Sequence, residues 1–523
     1  MVPDALAAYK NSIPQVIIDA MDVVNSLGEN YLWSDSLCIV QDDAAEKHHQ
    51  ISHMAIIYSS TVLTLVAVGA RDANSNLPGV RPLTRWPREK QKSDAFNRPL
   101  RPDLVLKAID RTVYVSRAWT FQERHLSRRC LYFLDEQVYF QCRMELCCEE
   151  QSPSFLSSFV PTSPPEIGLS IMSRAPGWRK SIERKDWDRG FAFYAELIQE
   201  YSWKALSYPE DIINAFSGLL NALETHSGWN LTHGLPEQMI DWALLWIPVG
   251  LHQRRPPPRS GQLLQFPSWS WIGWIGPITF NLAYDNALLP LSSLLEEVQL
   301  ETFEENTTNF SGLRRVIRGK IDRGGKPYKS TFLEAELFNL ATGKEDSSLP
   351  GSTLRFTAMT ISAASFQAND IPPWRWNPDI HSDKKARIEQ SGVSITFSTG
   401  LAGLFLGLSL DFLRRYKWSH LRLVAISRSE VIDDQDDMPI IIPSESYRHR
   451  WISGTPDQVD SSHIPFWESY RKWCVRYNTT PTVLYNVMLV QKRGPYYERV
   501  AVGQIDQQHW GAANPVKETV LLV

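Results

Sequence analysis

The chain has 523 residues, 43% of them hydrophobic, which is typical of a folded protein and too long for one ordinary core. Lysine and arginine total 54 against 58 aspartate and glutamate residues, so the net charge of −4 excludes the strong basic field of a nucleic-acid-binding protein. Six scattered cysteines, no signal-peptide pattern and no apolar run near ~20 residues together predict a reduced, cytoplasmic protein without a membrane span.

Helix and strand patterns alternate at the start of the chain. An amphipathic helix is predicted over Ser12–Leu27, and a strand over Tyr31–Val40 whose final apolar residues lack alternation, as in a strand buried on both faces. Asp43 is predicted to cap a second helix, with Glu46 as its capping-box partner, and Thr61–Val68 is a β-branched strand. This order predicts parallel pairing through crossover helices.

The next segments continue the same α/β pattern. After a charged loop at Arg81–Asp103, a short strand is predicted over Val113–Ser116, a helix over Trp119–Leu126, and a hairpin formed by Cys130–Phe133 and Val138–Cys142. In open α/β sheets, ligands bind at the carboxyl ends of the strands. Site residues are therefore expected near the ends of the predicted strands, around Val40 and around Ser116.

The remainder is predicted to be a connector followed by a β-rich region. Gln151–Glu166 is rich in serine and proline and typical of a linker, and helices are predicted over Trp187–Leu206 and Glu210–Leu223. The predicted organisation is an α/β domain over 1–150, a linker and helical connector over 151–250, and a β-rich α+β region over 251–523. The strands predicted in that last region are Leu354–Ile361, Val393–Phe397, Leu421–Ile426, Val483–Val490 and Tyr496–Val502.

Several blocks together carry a family resemblance. The sequence YLWSDSLCIVQDD ends at Asp43, MAIIY follows at Met54–Tyr58, and WTFQER begins at Trp119. In this order and spacing they resemble the fungal heterokaryon-incompatibility (HET) domain. The resemblance implies non-self recognition and programmed cell death, with protein partners that are either further copies of the chain or a death-signalling trigger, and no nucleic acid.

One part of the family pattern is absent. HET domains usually begin with a strand carrying a pattern like LSY-x-WG, and this sequence has no such strand before its first helix. The expected sheet is therefore a partial, TIR-like or flavodoxin-like parallel sheet whose first strand is missing. Two explanations follow from this departure: either the true start lies upstream of Met1, or the protein is an inert, truncated paralogue.

A second resemblance concerns chemistry. HET domains are distantly similar to Toll/interleukin-1 receptor (TIR) domains, some of which hydrolyse NAD through a glutamate in the pattern S-x-x-W-C-x-x-E. Ser116, Trp119 and Glu123 keep that spacing here, with Thr120 in the cysteine position. The resemblance implies that NAD would be a substrate and not a cofactor, and that Glu123 would be the catalytic residue, stabilising an oxocarbenium-like transition state or binding ribose hydroxyls.

A plainer interpretation of Glu123 is structural. It could pair with Arg117 or Arg124 and support the fold of a non-catalytic signalling module. We prefer this interpretation to catalysis. Other candidates for ligand or partner binding share a position near one of the two predicted strand ends: they are Asp35, Asp42, Ser116, Trp119 and Arg124.

The remaining reactive residues favour structural roles. Cys38 lies in the predicted buried strand, where a thiol is an inert small hydrophobe. His49 and His53 have the spacing of a metal pair but no third ligand, so no metal site is predicted. The tryptophans of the FPSWSWIGWIG segment, namely Trp269, Trp271 and Trp274, are predicted to serve packing.

Overall fold

The computed structural model describes residues 7–85, 109, 112–135, 137–142, 146–149, 187–250, 252–256, 266–280, 290–306, 309–316, 334–339, 352–376, 388–430 and 483–523. In chain order the α-helices are α1 (Gln15–Ser26), α2 (Asp35–Cys38), α3 (Ala44–Ser60), α4 (Val113–Ser116), α5 (Ala118–Leu126), α6 (Trp187–Ser202), α7 (Ser217–Ser227), α8 (Ile240–Ala243), α9 (Leu410–Leu413) and α10 (Gln507–Ala512). Within this described part, no helix combines the length and hydropathy needed to cross a bilayer.

The strands are, in the same order, β1 (Thr64–Val66), β2 (Arg129–Phe133), β3 (Val138–Cys142), β4 (Leu146–Cys148), β5 (Leu231–Thr232), β6 (Leu235–Pro236), β7 (Ile247–Pro248), β8 (Gln253–Arg254), β9 (Trp274–Ile275), β10 (Ile278–Thr279), β11 (Pro290–Ser293), β12 (Glu296–Asn306), β13 (Asn309–Val316), β14 (Glu334–Asn339), β15 (Ser352–Ser362), β16 (Phe366–Trp376), β17 (Ile388–Phe397), β18 (Gly400–Leu406), β19 (Leu421–Glu430), β20 (Val483–Arg493), β21 (Tyr496–Asp506) and β22 (Val516–Leu522). Helices and sheets are thus mixed, which is compatible with the predicted α/β class.

The chain forms two compact units, and each unit is built from several segments that are separate in the sequence. Unit 1 comprises Met1–Gly177, Lys204–Ser207 and Asn214–His226. Unit 2 comprises Trp178–Trp203, Tyr208–Ile213 and Ser227–Val523. Unit 1 is therefore completed by two short segments that follow α6 in the sequence.

The sheet of unit 1 has four strands in the order β1-β2-β3-β4. β1 and β2 are parallel, whereas β2–β3 and β3–β4 are antiparallel. Its core contains Val66, Val68, Ile109, Tyr132 and Tyr139, each less than a tenth exposed. The predicted parallel pairing therefore holds for a single described strand pair, and the predicted hairpin is confirmed as β2 and β3.

Two predicted strands of unit 1 are wrong. Tyr31–Val40 forms an extended segment followed by the short helix α2, and only Ile39 of its apolar residues is buried, while Tyr31 is 93% exposed. The helical turn forms because the Cys38 amide bonds the Ser34 carbonyl and the Asp35 carboxylate accepts the Ser36 amide. Short polar side chains of this kind compete with strand pairing.

Val113–Ser116, the second of these, is the helical turn α4. The Thr112 hydroxyl donates to the Ile109 carbonyl at 2.6 Å, and the Ser116 hydroxyl donates to the Val113 carbonyl at 2.8 Å. These local bonds turn a β-branched segment away from the extended form.

Other predicted elements of unit 1 are confirmed. The first helix is α1, which begins later than predicted, after Pro14, and is followed by Gly28 at φ +73°. The second helix is α3, where the Asp43 carboxylate accepts the Glu46 amide at 3.0 Å, as an N-cap does. The Glu46 carboxylate accepts a hydrogen bond from the Gln50 side-chain amide at 2.8 Å. The predicted linker Gln151–Glu166 lies outside the described residues.

Unit 2 is built on a twelve-stranded sheet. Its main path runs β14-β13-β12-β15-β19-β20-β21-β18-β17-β16, with β11 paired to β19 and β22 paired to β15 and β21. The strands predicted for this half are confirmed within β15, β17, β19, β20 and β21. Neighbouring strands on that path are antiparallel, which agrees with a β-rich region.

The tryptophan-rich segment of unit 2 is buried. Trp269, Trp271 and Trp274 are all at most 6% exposed, and the Trp274 indole donates to the Ser268 carbonyl at 2.8 Å. The prediction that these side chains serve packing is confirmed. The predicted helix Trp187–Leu206 ends at Ser202, and the one over Glu210–Leu223 is two 3₁₀ turns (Pro209–Ile212 and Asn214–Phe216) followed by α7.

Candidate functional site

The candidate site is built on α5, whose N-terminus is fixed by a distant segment. The Ala118 amide donates to the Ala205 carbonyl at 2.9 Å, and the Ala205 amide donates to the Ser116 carbonyl at 2.6 Å. The Thr120 hydroxyl donates to the carbonyls of Tyr114 and Arg117. These bonds hold Arg117 in extended backbone, so the helix begins at a defined residue.

The buried face of α5 packs against α3 and α7 at a glycine. Gln122 is fully buried, and its side-chain oxygen accepts the Gly218 amide at 2.8 Å. A Cβ atom at Gly218 would lie 2.4 Å from the Cβ of Ala55, which is too close for any other residue. This packing sets the rotation of α5 and so the direction in which Glu123 points.

Glu123 lies on α5 in a partly buried position beside α3 and α2. The Tyr58 hydroxyl donates a hydrogen bond to the Glu123 carboxylate. The Tyr58 ring meets the Trp33 ring edge-to-face, with ring centroids 5.7 Å apart. The charges of Asp35 and Arg117 also act on Glu123. We refer to Trp33, Asp35, Tyr58, Arg117 and Glu123 as the Glu123 cluster.

The electrostatics of the Glu123 cluster favour a protonated carboxyl. Burial raises the pKa of Glu123 to about 7, Arg117 lowers it, Asp35 raises it, and the hydrogen bond from Tyr58 lowers it. Burial also raises the pKa of Tyr58, and the negative charges of Glu123 and Asp35 raise it further, so Tyr58 stays neutral and donates. A carboxyl that gains and loses its proton near neutral pH can act as a general acid or base.

A comparison with known families identifies the segment that carries this cluster. The family model described as "Heterokaryon incompatibility protein (HET)" matches residues 5–123. Residues 5–123 are therefore similar to the HET domain. Searches of curated proteins and of solved structures gave no significant match. The matched residues contain every member of the Glu123 cluster, and the match ends at Glu123 itself.

Two of the predicted site residues interact electrostatically. Asp35, at the N-terminus of α2, carries a charge that raises the pKa of Glu123 in the middle of α5. Asp42 is exposed in the turn before α3, and Ser116 is exposed with its hydroxyl bonded to the Val113 carbonyl. Trp119 is partly buried.

The remaining predicted site residue, Arg124, lies just after the matched residues and in a different environment. It is 8% exposed and hydrogen-bonds Tyr132, whose hydroxyl donates to the Gln141 side chain at 2.7 Å. Burial is the main cause of the raised pKa of Cys130, and the nearby Arg124 charge opposes it. Arg124 therefore joins α5 to the sheet, whereas Arg117 is the arginine whose charge reaches Glu123.

Sequence reasoning missed the contacts that Tyr58 and Trp33 make at the Glu123 cluster. In the sequence analysis both residues occur only as members of the family motifs. The available signal for Tyr58 was chemical, since a tyrosine buried in a helix stripe needs a partner for its hydroxyl.

Cys38, His49 and His53, the cysteine and histidine candidates, lie outside the Glu123 cluster. Cys38 is exposed in α2, so the prediction that it lies in a buried strand is wrong. The His49 and His53 rings lie 4.3 Å apart on α3, and Nδ1 of His53 is 2.8 Å from the His49 carbonyl oxygen. No group of three or more metal-ligating side chains occurs in the described part of the chain.

Proposed function

We propose that this HET-domain protein acts in fungal heterokaryon incompatibility, as a component of non-self recognition that ends in programmed cell death. The observation that carries the proposal is the family match over residues 5–123. The partners in this role are other proteins, either further copies of the chain or a trigger protein.

Induced expression in a filamentous fungus tests this role. We expect growth arrest and loss of viability, either on expression alone or after hyphal fusion with a non-self strain. The Gly218→Leu variant, which disrupts the packing of α7 against α3 and α5, is the matched negative control. Unchanged growth in both settings, with the protein accumulating normally, would contradict the proposal.

The Glu123 cluster supports a second, enzymatic function of the same domain. We infer a TIR-like fold and cleavage of a nicotinamide dinucleotide, because a carboxyl with a pKa of about 7 lies beside a second carboxylate, an arginine and two aromatic rings. The bond between the ribose C1′ and the nicotinamide nitrogen would break, with the electron pair leaving on nicotinamide. Ionised Glu123 would stabilise the cationic ribose, and water would add to C1′ with loss of a proton, giving ADP-ribose.

Separation of the products by chromatography after incubating the purified chain with NAD tests this chemistry. We expect Glu123→Gln to lower the rate by roughly 10²-fold or more, since it removes the charge that stabilises the transition state. Glu29→Gln is the matched control, because Glu29 is exposed in the loop after α1. No nicotinamide release by the unaltered protein would exclude the reaction.

Expression of the Glu123→Gln variant in cells distinguishes a non-catalytic signalling module from an enzyme. Killing retained by Glu123→Gln, with unchanged NAD, would place the function on protein-binding surfaces. Killing lost together with NAD consumption, at unchanged abundance and thermal stability, supports the enzyme.

A further inference from the structure

A short segment that follows α6 in the sequence lies across the start of α5. The segment is Lys204–Ser207, which we call the strap. The Ala205 amide donates to the Ser116 carbonyl at 2.6 Å, and the Ala205 carbonyl accepts the Ala118 amide at 2.9 Å. Arg117 and Ala205 are thereby paired in a parallel β-bridge. The strap thus braces the residue that precedes the first turn of α5.

The strap is exposed to solvent although it is hydrogen-bonded. Ala205 and Ser207 are exposed and Leu206 between them is half-buried, an alternation typical of extended chain lying on a surface. The residues on either side of the strap are also exposed, Trp203 by 43% and Tyr208 by 53%. Surface segments with exposed backbone hydrogen bonds are the ones that open locally at a low free energy.

The two ends of the loop that contains the strap are fastened to each other. Tyr201 is buried, and its hydroxyl donates to the Ile212 carbonyl at 2.8 Å. The Tyr201 ring meets the Trp271 ring edge-to-face, with centroids 6.0 Å apart. The Arg255 guanidinium donates to the Pro209 carbonyl. The strap can therefore leave α5 without unfolding the elements that precede and follow it.

The strap contacts α5 at two levels of the helix. Besides the backbone pairing at its start, the Lys204 ammonium lies 5.4 Å from the centre of the Phe121 ring. Arg117, which the strap holds in extended backbone, also accepts the Thr120 hydroxyl at its carbonyl, at 2.9 Å. Glu123 follows on the same helix, so the strap bears on the element that positions the Glu123 cluster.

We propose that the strap is a releasable brace, which detaches from α5 while the base of its loop stays closed, and which thereby frees Arg117 from its position at the Glu123 cluster. As a regulatory device it rests on the proposed enzymatic function of that cluster. The detachment itself and its effect on Glu123 are measured without substrate, so a failure of the enzymatic function would leave both measurements valid.

The Ala118→Pro substitution isolates the contact between the strap and α5. Ala118 is the first residue of the helix, where proline is well tolerated because the amide there has no acceptor within the helix. Arg117 already has φ −85° and ψ 140°, the backbone that proline favours in the residue before it. The substitution therefore removes the donor to Ala205 and no bond within α5. Ala118→Gly is the matched control, since it keeps the amide.

Hydrogen exchange of the full chain, resolved to single amides by mass spectrometry, tests the detachment. We expect the Ala205 amide to exchange about tenfold faster in Ala118→Pro than in Ala118→Gly, the effect of roughly one lost hydrogen bond. Exchange within α6 should stay the same in both variants. Equal exchange of Ala205 in the two variants, or equal acceleration throughout α6, would overturn the proposal.

The unaltered protein provides a test that does not depend on the folding of a variant. Its Ala205 amide should exchange at least roughly tenfold faster than the buried amides of α6, because the strap opens while its loop base stays closed. Equal protection of the two would overturn the proposal.

Carbon-13 NMR of labelled glutamate tests the effect on the Glu123 cluster. The charge of Arg117 lowers the pKa of Glu123, so detachment should raise that pKa in Ala118→Pro relative to Ala118→Gly. An upward shift supports the release of Arg117, and an identical titration in the two variants overturns it.

Discussion

The Glu123 side chain combines partial burial with a hydroxyl donor, an arginine and a second carboxylate. Burial makes the charged form costly, and the Tyr58 hydrogen bond and Arg117 recover only part of that cost. The protonation state of this one carboxyl therefore links pH both to the stability of the HET domain and to any chemistry at the cluster.

The first prediction concerns stability against pH. Folding raises the pKa of Glu123 from 4.5 to about 7, so between these values the folded state holds a proton that the unfolded state releases. Stability contributed by this group is present below the lower value and is lost as pH rises toward the higher one. We expect the melting temperature of the unaltered protein to fall relative to that of Glu123→Gln between pH 5 and pH 8, as measured by differential scanning fluorimetry. A difference that stays constant with pH would refute the assigned shift.

The second prediction concerns Tyr58. Its hydrogen bond lowers the pKa of Glu123, so Tyr58→Phe should move the titration of that carboxyl above about 7. Carbon-13 NMR of labelled glutamate measures this titration. Tyr31→Phe is the control, because Tyr31 is 93% exposed and should leave the titration unchanged. A downward shift in Tyr58→Phe would mean that the hydroxyl does not donate to Glu123.

At the scale of elements, α1 depends on one fully buried carboxylate. Asp19 accepts the Leu77 amide at 2.8 Å, the Gln15 side-chain amide at 2.8 Å and the Arg81 guanidinium at 2.7 Å. Arg81 is 40% exposed, so the ion pair itself is partly screened by solvent. The carboxylate nevertheless ties the loop around Leu77 to α1.

The third prediction follows from this arrangement. Asp19→Ala removes the acceptor for several donors, and we expect α1 and residues 71–85 to lose about 3 kcal/mol of stability. Hydrogen exchange of these amides should then become roughly 100-fold faster. Asp22→Ala is the control, since Asp22 is exposed on the same helix and should change stability by less than ~0.5 kcal/mol. Equal exchange rates in the two variants would contradict the role of Asp19.

The sequence predicted elements well where the signal was local. The Asp43 cap and the hairpin of β2 and β3 are both determined by residues that are adjacent in the sequence. The strand predicted at Tyr31–Val40 failed because an apolar run says nothing about which residues will be covered, and only Ile39 finds a core. Val113–Ser116 failed similarly, since its backbone is set by bonds within the turn and by pairing of Ser116 with Ala205.

The same distinction holds for the candidate site. The sequence pattern placed Glu123 on a helix that follows a predicted strand, and the resemblance singled it out. Its contacts with Tyr58 and Asp35 depend on how α2, α3 and α5 pack, which no local pattern encodes. Arg124 was separated from Glu123 for the same reason, because adjacent positions on a helix point about 100° apart and face different surroundings.

At the scale of the whole molecule, the family match is shorter than the folded unit that contains it. The match covers residues 5–123, whereas unit 1 also needs Lys204–Ser207 and Asn214–His226. Phe216 stacks on Phe121 with ring centroids 6.2 Å apart, and the Gly218 amide binds the buried Gln122. The later segments therefore supply packing and hydrogen bonds directly to the helix that carries Glu123.

The fourth prediction compares two fragments. A fragment of residues 1–177 lacks every partner of α5 that comes from the later segments, so we expect it to unfold without a cooperative transition. A fragment of residues 1–226 contains all parts of unit 1 and should retain one, as seen by near-ultraviolet circular dichroism during heating. Equal cooperativity in the two fragments would show that the later segments are dispensable. The Gln122→Ala substitution in the longer fragment removes only the hydrogen bond to Gly218 and is therefore a milder test of the same contacts.

Protein synthesis gives this arrangement a consequence in time. The ribosome delivers Tyr58 and Glu123 early, but Gly218 emerges nearly a hundred residues after Glu123. A domain made of one continuous segment can fold as soon as that segment leaves the ribosome. Unit 1 cannot be completed until its later segments have been translated. We expect polypeptides released before that point to be unable to assemble the Glu123 cluster. A cell that translates an mRNA truncated before Gly218 would therefore make a polypeptide without the activity of the complete chain.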